Sequence, residues 1–182
     1  MKRTILKFGL ISGAISVVLM SATMPFQHKI GYSLALLVGY TTMVLAFLLV
    51  YFGIRSYRDN EGQGEITFAR AFGVGISITL ITCICYVVAW EIIYFNFMHD
   101  FMDNYTAQVV AQAKASGMSA AALQAKLESL RVAKQHYENI FYNSAITFIE
   151  PFPVGFVITL ISAAVLRKTP AVRRTLAEGS QV

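Results

Sequence analysis

The sequence predicts an all-α membrane protein with four transmembrane helices and an extramembrane helical hairpin between the third and the fourth. Of its 182 residues, 56% are hydrophobic and only 14% are charged, whereas about 25% of the residues of a soluble domain carry charge. The apolar residues form four blocks, and a long polar segment, residues 96–143, separates the last two. These observations exclude an ordinary soluble domain.

The first apolar block, span 1, is predicted at residues 5–24, where Lys7 is the one charged residue. About 20 residues of helix are long enough to cross a hydrocarbon core of about 30 Å. A signal peptide is the alternative, because small residues at 21–23 offer a cleavage point. The length of the run favours a transmembrane helix. The next five residues, 25–29, include Pro25 and are predicted to form a turn.

Spans 2, 3 and 4 are predicted at about residues 32–54, 71–95 and 144–166, within a single domain that covers residues 1–168. Pro151 and Pro153 lie in the outer half of span 4. Each removes a backbone donor and clashes with the preceding turn, so a structural kink is expected there. Small residues also recur at four-residue steps within the spans, a pattern that favours close helix packing.

Residues 96–143 are predicted to form two helical arms that continue spans 3 and 4. Apolar side chains recur there at three- and four-residue steps. Between the arms, Gly117 is a plausible C-terminal glycine and Ser119 a plausible N-cap. Alanines are expected to let the arms approach closely near the tip, namely Ala107, Ala111, Ala113, Ala115, Ala120, Ala121, Ala122 and Ala125.

The distribution of basic residues predicts the orientation. The net charge of +5 does not indicate nucleic acid, because basic residues beside apolar blocks orient helices and meet anionic lipid. Ten of them lie on one predicted side: Lys2, Arg3, Lys7, Arg55, Arg58, Arg70, Arg167, Lys168, Arg173 and Arg174. Both termini, including the basic tail 169–182, should therefore be cytoplasmic, and the hairpin should be periplasmic.

Two stretches resemble a known family. The segment from Glu150 to Lys168, EPFPVGFVITLISAAVLRK, resembles the closing motif of a bacterial four-helix family called domain of unknown function 4199. The segment from Thr67 to Gly75, TFARAFGVG, resembles its entry to the third helix. The similarity extends over about residues 4–168. The resemblance implies a bacterial inner-membrane protein, and it brings no activity, substrate or catalytic residue.

Two carboxylates inside the predicted spans are the main candidates for a functional site. Glu91 lies about one turn inside the outer end of span 3, and Glu150 about two turns inside that of span 4. Charged residues in membrane spans usually face the bundle interior and often mark function. We hypothesise that Glu91, Glu150 and His99 converge on a site for a cation, a proton or a lipid headgroup. A structural role, by snorkelling or by bonding freed backbone near the prolines, is the alternative.

Other constellations are weaker. His99, Asp100 and His136 could form a metal site if the arms of the hairpin meet there, but they are the minimum of the three or four converging ligands that a metal needs, and solvated interface residues are the favoured interpretation. Cys83 and Cys85 face different directions on a helix and cannot pair with each other. Aromatic residues crowd the outer boundary and are typical of a belt at the lipid headgroups, with a partner surface as the alternative.

The sequence leaves two functions open. Because no nucleophile arrangement, metal cluster or nucleotide motif is present, we expect no catalytic residues, no metal and no cofactor. The favoured interpretation is a non-enzymatic accessory or scaffold protein, which contacts the lipid bilayer and binds either a second copy of itself or another membrane protein. The alternative is a small ligand-, lipid- or ion-binding or transport unit that uses Glu91 and Glu150.

Overall fold

The structure is a computed structural model that describes residues 1–30, 32–98 and 100–168, and its regular structure in those ranges is helical. The described helices are α1 (Lys2–Ile30), α2 (Tyr32–Asn60), α3 (Phe68–Phe97), α4 (Phe101–Ala115), α5 (Ala120–Tyr137), α6 (Ile140–Ile149) and α7 (Phe152–Leu166). The predicted all-α fold class is confirmed. The predicted tail 169–182 lies outside the described residues.

Four helical stretches are long and apolar enough to cross a membrane, which confirms the four predicted transmembrane helices. They are Lys2–Met24, Leu36–Asn60, Phe68–Phe97 and Ile140–Leu166. The predicted turn at residues 25–29 is wrong, because α1 continues through Pro25 to Ile30. A proline inside a helix removes one backbone hydrogen bond, but the residues after it can resume the ladder.

Among the described residues, those in the ranges 1–86 and 148–168 form one compact unit, called unit 1. Within it α1 packs along α2, and α2 packs against α7. Fully buried aliphatic and aromatic side chains form the core of this unit, chiefly Phe47, Val50 and Ile54 of α2 with Val74 and Ile78 of α3. The apolar surface that faces away from this core suits a hydrocarbon solvent.

Small residues allow the helices of unit 1 to approach closely. A methyl group added at Gly13 would lie 2.7 Å from the Cβ atom of Cys85. One added at Gly155 would lie 2.5 Å from the Cγ2 atom of Thr79. Both distances are far inside van der Waals contact. These glycines therefore have the packing role that the small-residue steps predict.

The loop between α2 and α3 forms hydrogen bonds with residues at the start of α1 and with a residue after the end of α7. The carboxylate of Glu61 accepts a hydrogen bond from the Thr4 hydroxyl and forms an ion pair with the amino group of Met1. Five residues later, Ile66 exchanges two backbone hydrogen bonds of 2.9 Å with Lys168. One loop thereby contacts the first turn of α1 and Lys168, which is two residues after the end of α7.

Residues 87–147 form a second compact unit, called unit 2, which contains the end of α3, then α4, α5 and most of α6. The helices α4 and α5 pack against each other as a hairpin. Gly117 has a positive φ of 72° at the turn, and the Ser119 hydroxyl accepts a hydrogen bond from the backbone of Ala122. An ion pair between Lys134 and Asp103, 2.5 Å apart, joins the two arms.

The alanines of the hairpin do not line its inner face as expected. Ala113 is buried, but the other seven are exposed: Ala107, Ala111, Ala115, Ala120, Ala121, Ala122 and Ala125. Burying a methyl group removes little apolar area from water, so larger side chains such as Leu130 take the inner positions. At these exposed positions the outer surfaces of both arms carry only methyl groups.

Candidate functional site

The two candidate carboxylates lie in different units, Glu91 in unit 2 and Glu150 in unit 1. His99 lies outside the described residues. The convergence of these three residues therefore stays a prediction. Each carboxylate has its own set of neighbours within its unit.

In unit 2, two consecutive residues of α3 bond to two consecutive residues of α6. The indole Nε1 of Trp90 donates a hydrogen bond of 2.9 Å to Oδ1 of Asn143. The hydroxyl of Ser144 donates one of 2.8 Å to Oε1 of Glu91. Because both bonds join side chains, they fix the rotation of the two helices about their axes as well as their separation.

Asn143 is the centre of this network. It is fully buried, and its Oδ1 atom accepts a second hydrogen bond, from the hydroxyl of Thr147 at 3.2 Å. Its amide nitrogen donates to the backbone carbonyl of Tyr137 at 3.2 Å. A buried side-chain amide with three partners is close to satisfied, so Asn143 acts as a structural clamp.

The carboxylate of Glu91 is less well satisfied. Its Oε1 atom has Ser144, but its Oε2 atom is buried and has no hydrogen-bond partner among the described residues. No described basic side chain forms an ion pair with Glu91 either. A buried polar atom without a partner costs about 1–3 kcal/mol, and more where it carries charge. Oε2 is therefore the atom of unit 2 that a bound ion or water would stabilise.

Glu150 lies at the interruption of span 4. α6 ends at Ile149 and α7 begins at Phe152, so Glu150 and Pro151 form the junction at which the kink was predicted. The side chain of Glu150 is exposed at the surface of the chain. The hydroxyl of Tyr86 lies near its carboxylate. Glu150 therefore has one neighbouring hydroxyl group, and its side chain is otherwise exposed.

Aromatic rings surround the Trp90 end of the polar network. The rings of Trp90 and Phe101 lie 5.1 Å apart edge to face, and Tyr94 lies 5.4 Å from Tyr137. Trp90 and Tyr94 are only 8% and 5% exposed. These residues pack on one another. Phe141, by contrast, is 83% exposed and has the accessibility that a headgroup belt requires.

The histidine-based metal site has no support among the described residues. The ring of His136 packs against that of Tyr142, with centroids 5.2 Å apart, and Asp100 is exposed. Within the described ranges, no group of three or more metal-binding side chains comes together.

Sequence reasoning missed Asn143 and the partnership of Glu91 with Ser144. The available signal was the pair Asn143–Ser144 between Tyr142 and the apolar residues that follow. Polar side chains at the edge of a membrane span usually find partners on a neighbouring helix.

Residues 7–168 match the family described as protein of unknown function (DUF4199). The chain belongs to this family. The match includes Trp90, Glu91, Asn143, Ser144 and Glu150, so both carboxylates lie inside the family domain. No curated protein and no solved structure matches the chain. Together with four helices that are apolar enough to span a bilayer, membership in DUF4199 describes an integral membrane protein of unknown activity.

Proposed function

We propose that this protein is a non-enzymatic accessory protein of the bacterial inner membrane, and that the α4–α5 hairpin binds a protein partner. The observation that carries this proposal is the poor burial of the hairpin. Only Met102 and Ala113 of α4 and Leu130 of α5 are buried. Most of both arms faces outward.

Helices of 15 and 18 residues are marginally stable in water on their own, because most helical stability comes from packing of an apolar face. The hairpin also exposes apolar side chains away from its inner face. Leu127 and Val132 are each 38% exposed, and Met118 at the tip is 42% exposed. A partner that covered these side chains would supply the burial that the hairpin lacks.

The proposed partner surface consists of Leu127 with Ala120 on one side of α5, together with the exposed row of Ala107, Ala111 and Ala115 on α4, whereas Val132 lies on another side of α5. Alanine rows allow another helix to approach closely, and Leu127 contributes apolar area. A second copy of this chain and a different membrane protein are the two partners that such a surface admits.

Point variants of α5 test this proposal without removing the hairpin. Leu127→Glu places a charge on the proposed surface, and we expect it to shift the protein from a larger complex to a smaller one. Ser129→Glu is the matched control, because Ser129 is also exposed but lies two residues from Leu127, on the opposite side of α5. The mass of the complex in gentle detergent, measured by native mass spectrometry, distinguishes them. Equal masses for both variants and for the unaltered chain would contradict a role for this face.

The proposed topology has both termini in the cytoplasm and the hairpin in the periplasm, in keeping with the distribution of basic residues. We expect a cysteine introduced as Ala111→Cys to react with a membrane-impermeant maleimide in intact cells. Thr67→Cys, in the loop before α3, should react only after the membrane is opened. The reverse pattern would place the hairpin in the cytoplasm.

A second function is favoured by the unpartnered Oε2 atom of Glu91. In this alternative the protein is a small ligand-, lipid- or ion-binding unit whose membrane carboxylates hold the ligand. A small bound species seen by native mass spectrometry, retained by Ser129→Ala and lost from Glu91→Gln, would support it. Identical spectra for the unaltered chain and Glu91→Gln would exclude Glu91 as a binding group.

A further inference from the structure

The exposed face of α7 is apolar, and a carboxylate lies just before its first residue. Val157, Ile161 and Val165 recur at four-residue steps and are 52%, 59% and 68% exposed. Glu150 lies just above this row and is also exposed. The opposite face of α7 is buried, through Gly155, Thr159, Ser162, Ala163 and Leu166. The exposed surface is therefore an apolar row with a carboxylate at one end. It complements the apolar chain and the cationic group of a phospholipid.

The position of Glu150 makes an uncompensated charge costly. From Glu150 to Leu166 the helix rises about 24 Å at 1.5 Å per residue, whereas the hydrocarbon core is about 30 Å thick. No described basic side chain forms an ion pair with Glu150. Tyr86 is one neighbouring donor, but two carboxylate oxygens accept about four hydrogen bonds.

The junction of α6 and α7 adds a second acceptor. In a continuous helix the carbonyl of Ile149 would accept a hydrogen bond from residue 153, but Pro153 has no N–H group. The ladder resumes with the bond from the Gly155 nitrogen to the Pro151 carbonyl, 3.1 Å long. Ile149 itself is 60% exposed. The junction therefore offers acceptors and negative charge at one exposed point.

We propose that Glu150 and the carbonyl of Ile149 bind the primary ammonium group of an aminophospholipid, with an acyl chain along the exposed face of α7 from Pro153 past Val157. A primary ammonium has three N–H donors and a positive charge, which complements acceptors and a carboxylate. A trimethylated headgroup has the charge but no donors. An anionic headgroup is repelled. The exposed face of α7 is apolar for about 18 Å from Pro153 to Val165, which exceeds the roughly 15 Å depth of one leaflet, so a chain that begins beside Glu150 meets apolar side chains throughout its leaflet.

This inference deepens the second of the two functions, since it names the lipid class for one carboxylate, and it rests on Glu150 being a binding group. It depends neither on Glu91 nor on the hairpin.

The test is competition between phosphatidylethanolamine and phosphatidylcholine with identical acyl chains, at equal concentrations in detergent, read by native mass spectrometry. We expect the unaltered protein to retain the ethanolamine lipid on the order of tenfold better, because charge-assisted hydrogen bonds are the strong ones. Glu150→Gln should lose that preference, and Glu91→Gln should keep it. A series of mono- and dimethylated headgroups on the unaltered chain should reduce retention stepwise and needs no variant.

Equal retention of the two lipids by the unaltered protein would overturn the inference, and so would a preference that survives in Glu150→Gln. If Glu150→Gln instead lowers the mass of a protein complex and leaves lipid retention unchanged, the cation comes from a protein partner and the lipid assignment is wrong. A small ligand lost from Glu91→Gln, with no lipid preference, would leave the second function standing and remove this inference alone.

Discussion

Unit 1 and unit 2 are stabilised by different interactions. In unit 1, side chains such as Phe47 and Ile78 are fully buried, and Gly13 and Gly155 bring helices close together. In unit 2, few side chains of the hairpin are buried, and the network around Asn143 with its aromatic neighbours supplies the order. The difference is that the described part of unit 1 has a core of its own, whereas the hairpin of unit 2 is mostly exposed, and for this reason we propose the hairpin as the partner-binding element.

The largest effect is expected from a substitution that disrupts the packing of unit 1. A methyl group at Gly75 would lie 2.8 Å from both Ile54 and Thr159, so Gly75→Leu should destabilise the protein by about 3 kcal/mol. Gly73→Leu is the control, since nothing lies within 4 Å of an added methyl group there. Thermal unfolding in detergent should show a lower Tm for Gly75→Leu alone. Equal Tm values would mean that close packing is not what holds unit 1.

A smaller effect is expected from breaking the polar network of unit 2. Asn143→Ala leaves the Trp90 indole and the Thr147 hydroxyl without their shared acceptor, at a cost of about 2 kcal/mol. Trp90 is the single tryptophan, so its fluorescence reports on unit 2 directly and should shift to longer wavelength. Asn96→Ala is the control, because Asn96 is exposed and bonds only within its own helix. An unshifted spectrum for Asn143→Ala would show that the network does not order this unit.

The smallest effect concerns the ion pair between the arms of the hairpin. The hydrogen bond from Lys134 to Asp103 raises the pKa of the Lys134 ammonium above its ordinary value of 10.5. A raised folded-state pKa means that the stabilisation is present in full from neutral pH to 10.5 and is lost as the pH rises through the higher folded value. Lys134→Met should remove this alkaline loss of helix from circular dichroism titrations. Lys126→Met, on the same helix, should keep it.

The spans and the hairpin could be predicted because their signals are local. Apolar runs report burial in lipid, and Gly117 and Ser119 are residue types that a tight helical turn requires. The continuation of α1 through Pro25 could not be predicted, since a proline is compatible with both a turn and a bent helix. The role of Asn143 depends on which residues of α3 face it, and one sequence does not contain that information.

The contacts of the two carboxylates could not be predicted from the sequence either. Composition marks Glu91 and Glu150 as unusual, because charged residues are rare in membrane spans. It does not reveal that Ser144 binds one oxygen of Glu91 while the other has no described partner. Nor does it reveal that Glu150 is exposed above an apolar row. Both features depend on the rotation of each helix about its axis.

The most direct test of the central claim is the mass of the complex released gently from the protein's own membranes, for the full chain and for a variant without residues 100–138. We predict that the full chain forms a defined complex, either with a second copy or with one other protein in fixed ratio. The variant should remain folded in the membrane and appear as a single chain, because unit 1 has its own core. A full chain that is a single protein without a partner, or a variant that keeps the same complex, would contradict the assignment of partner binding to the hairpin.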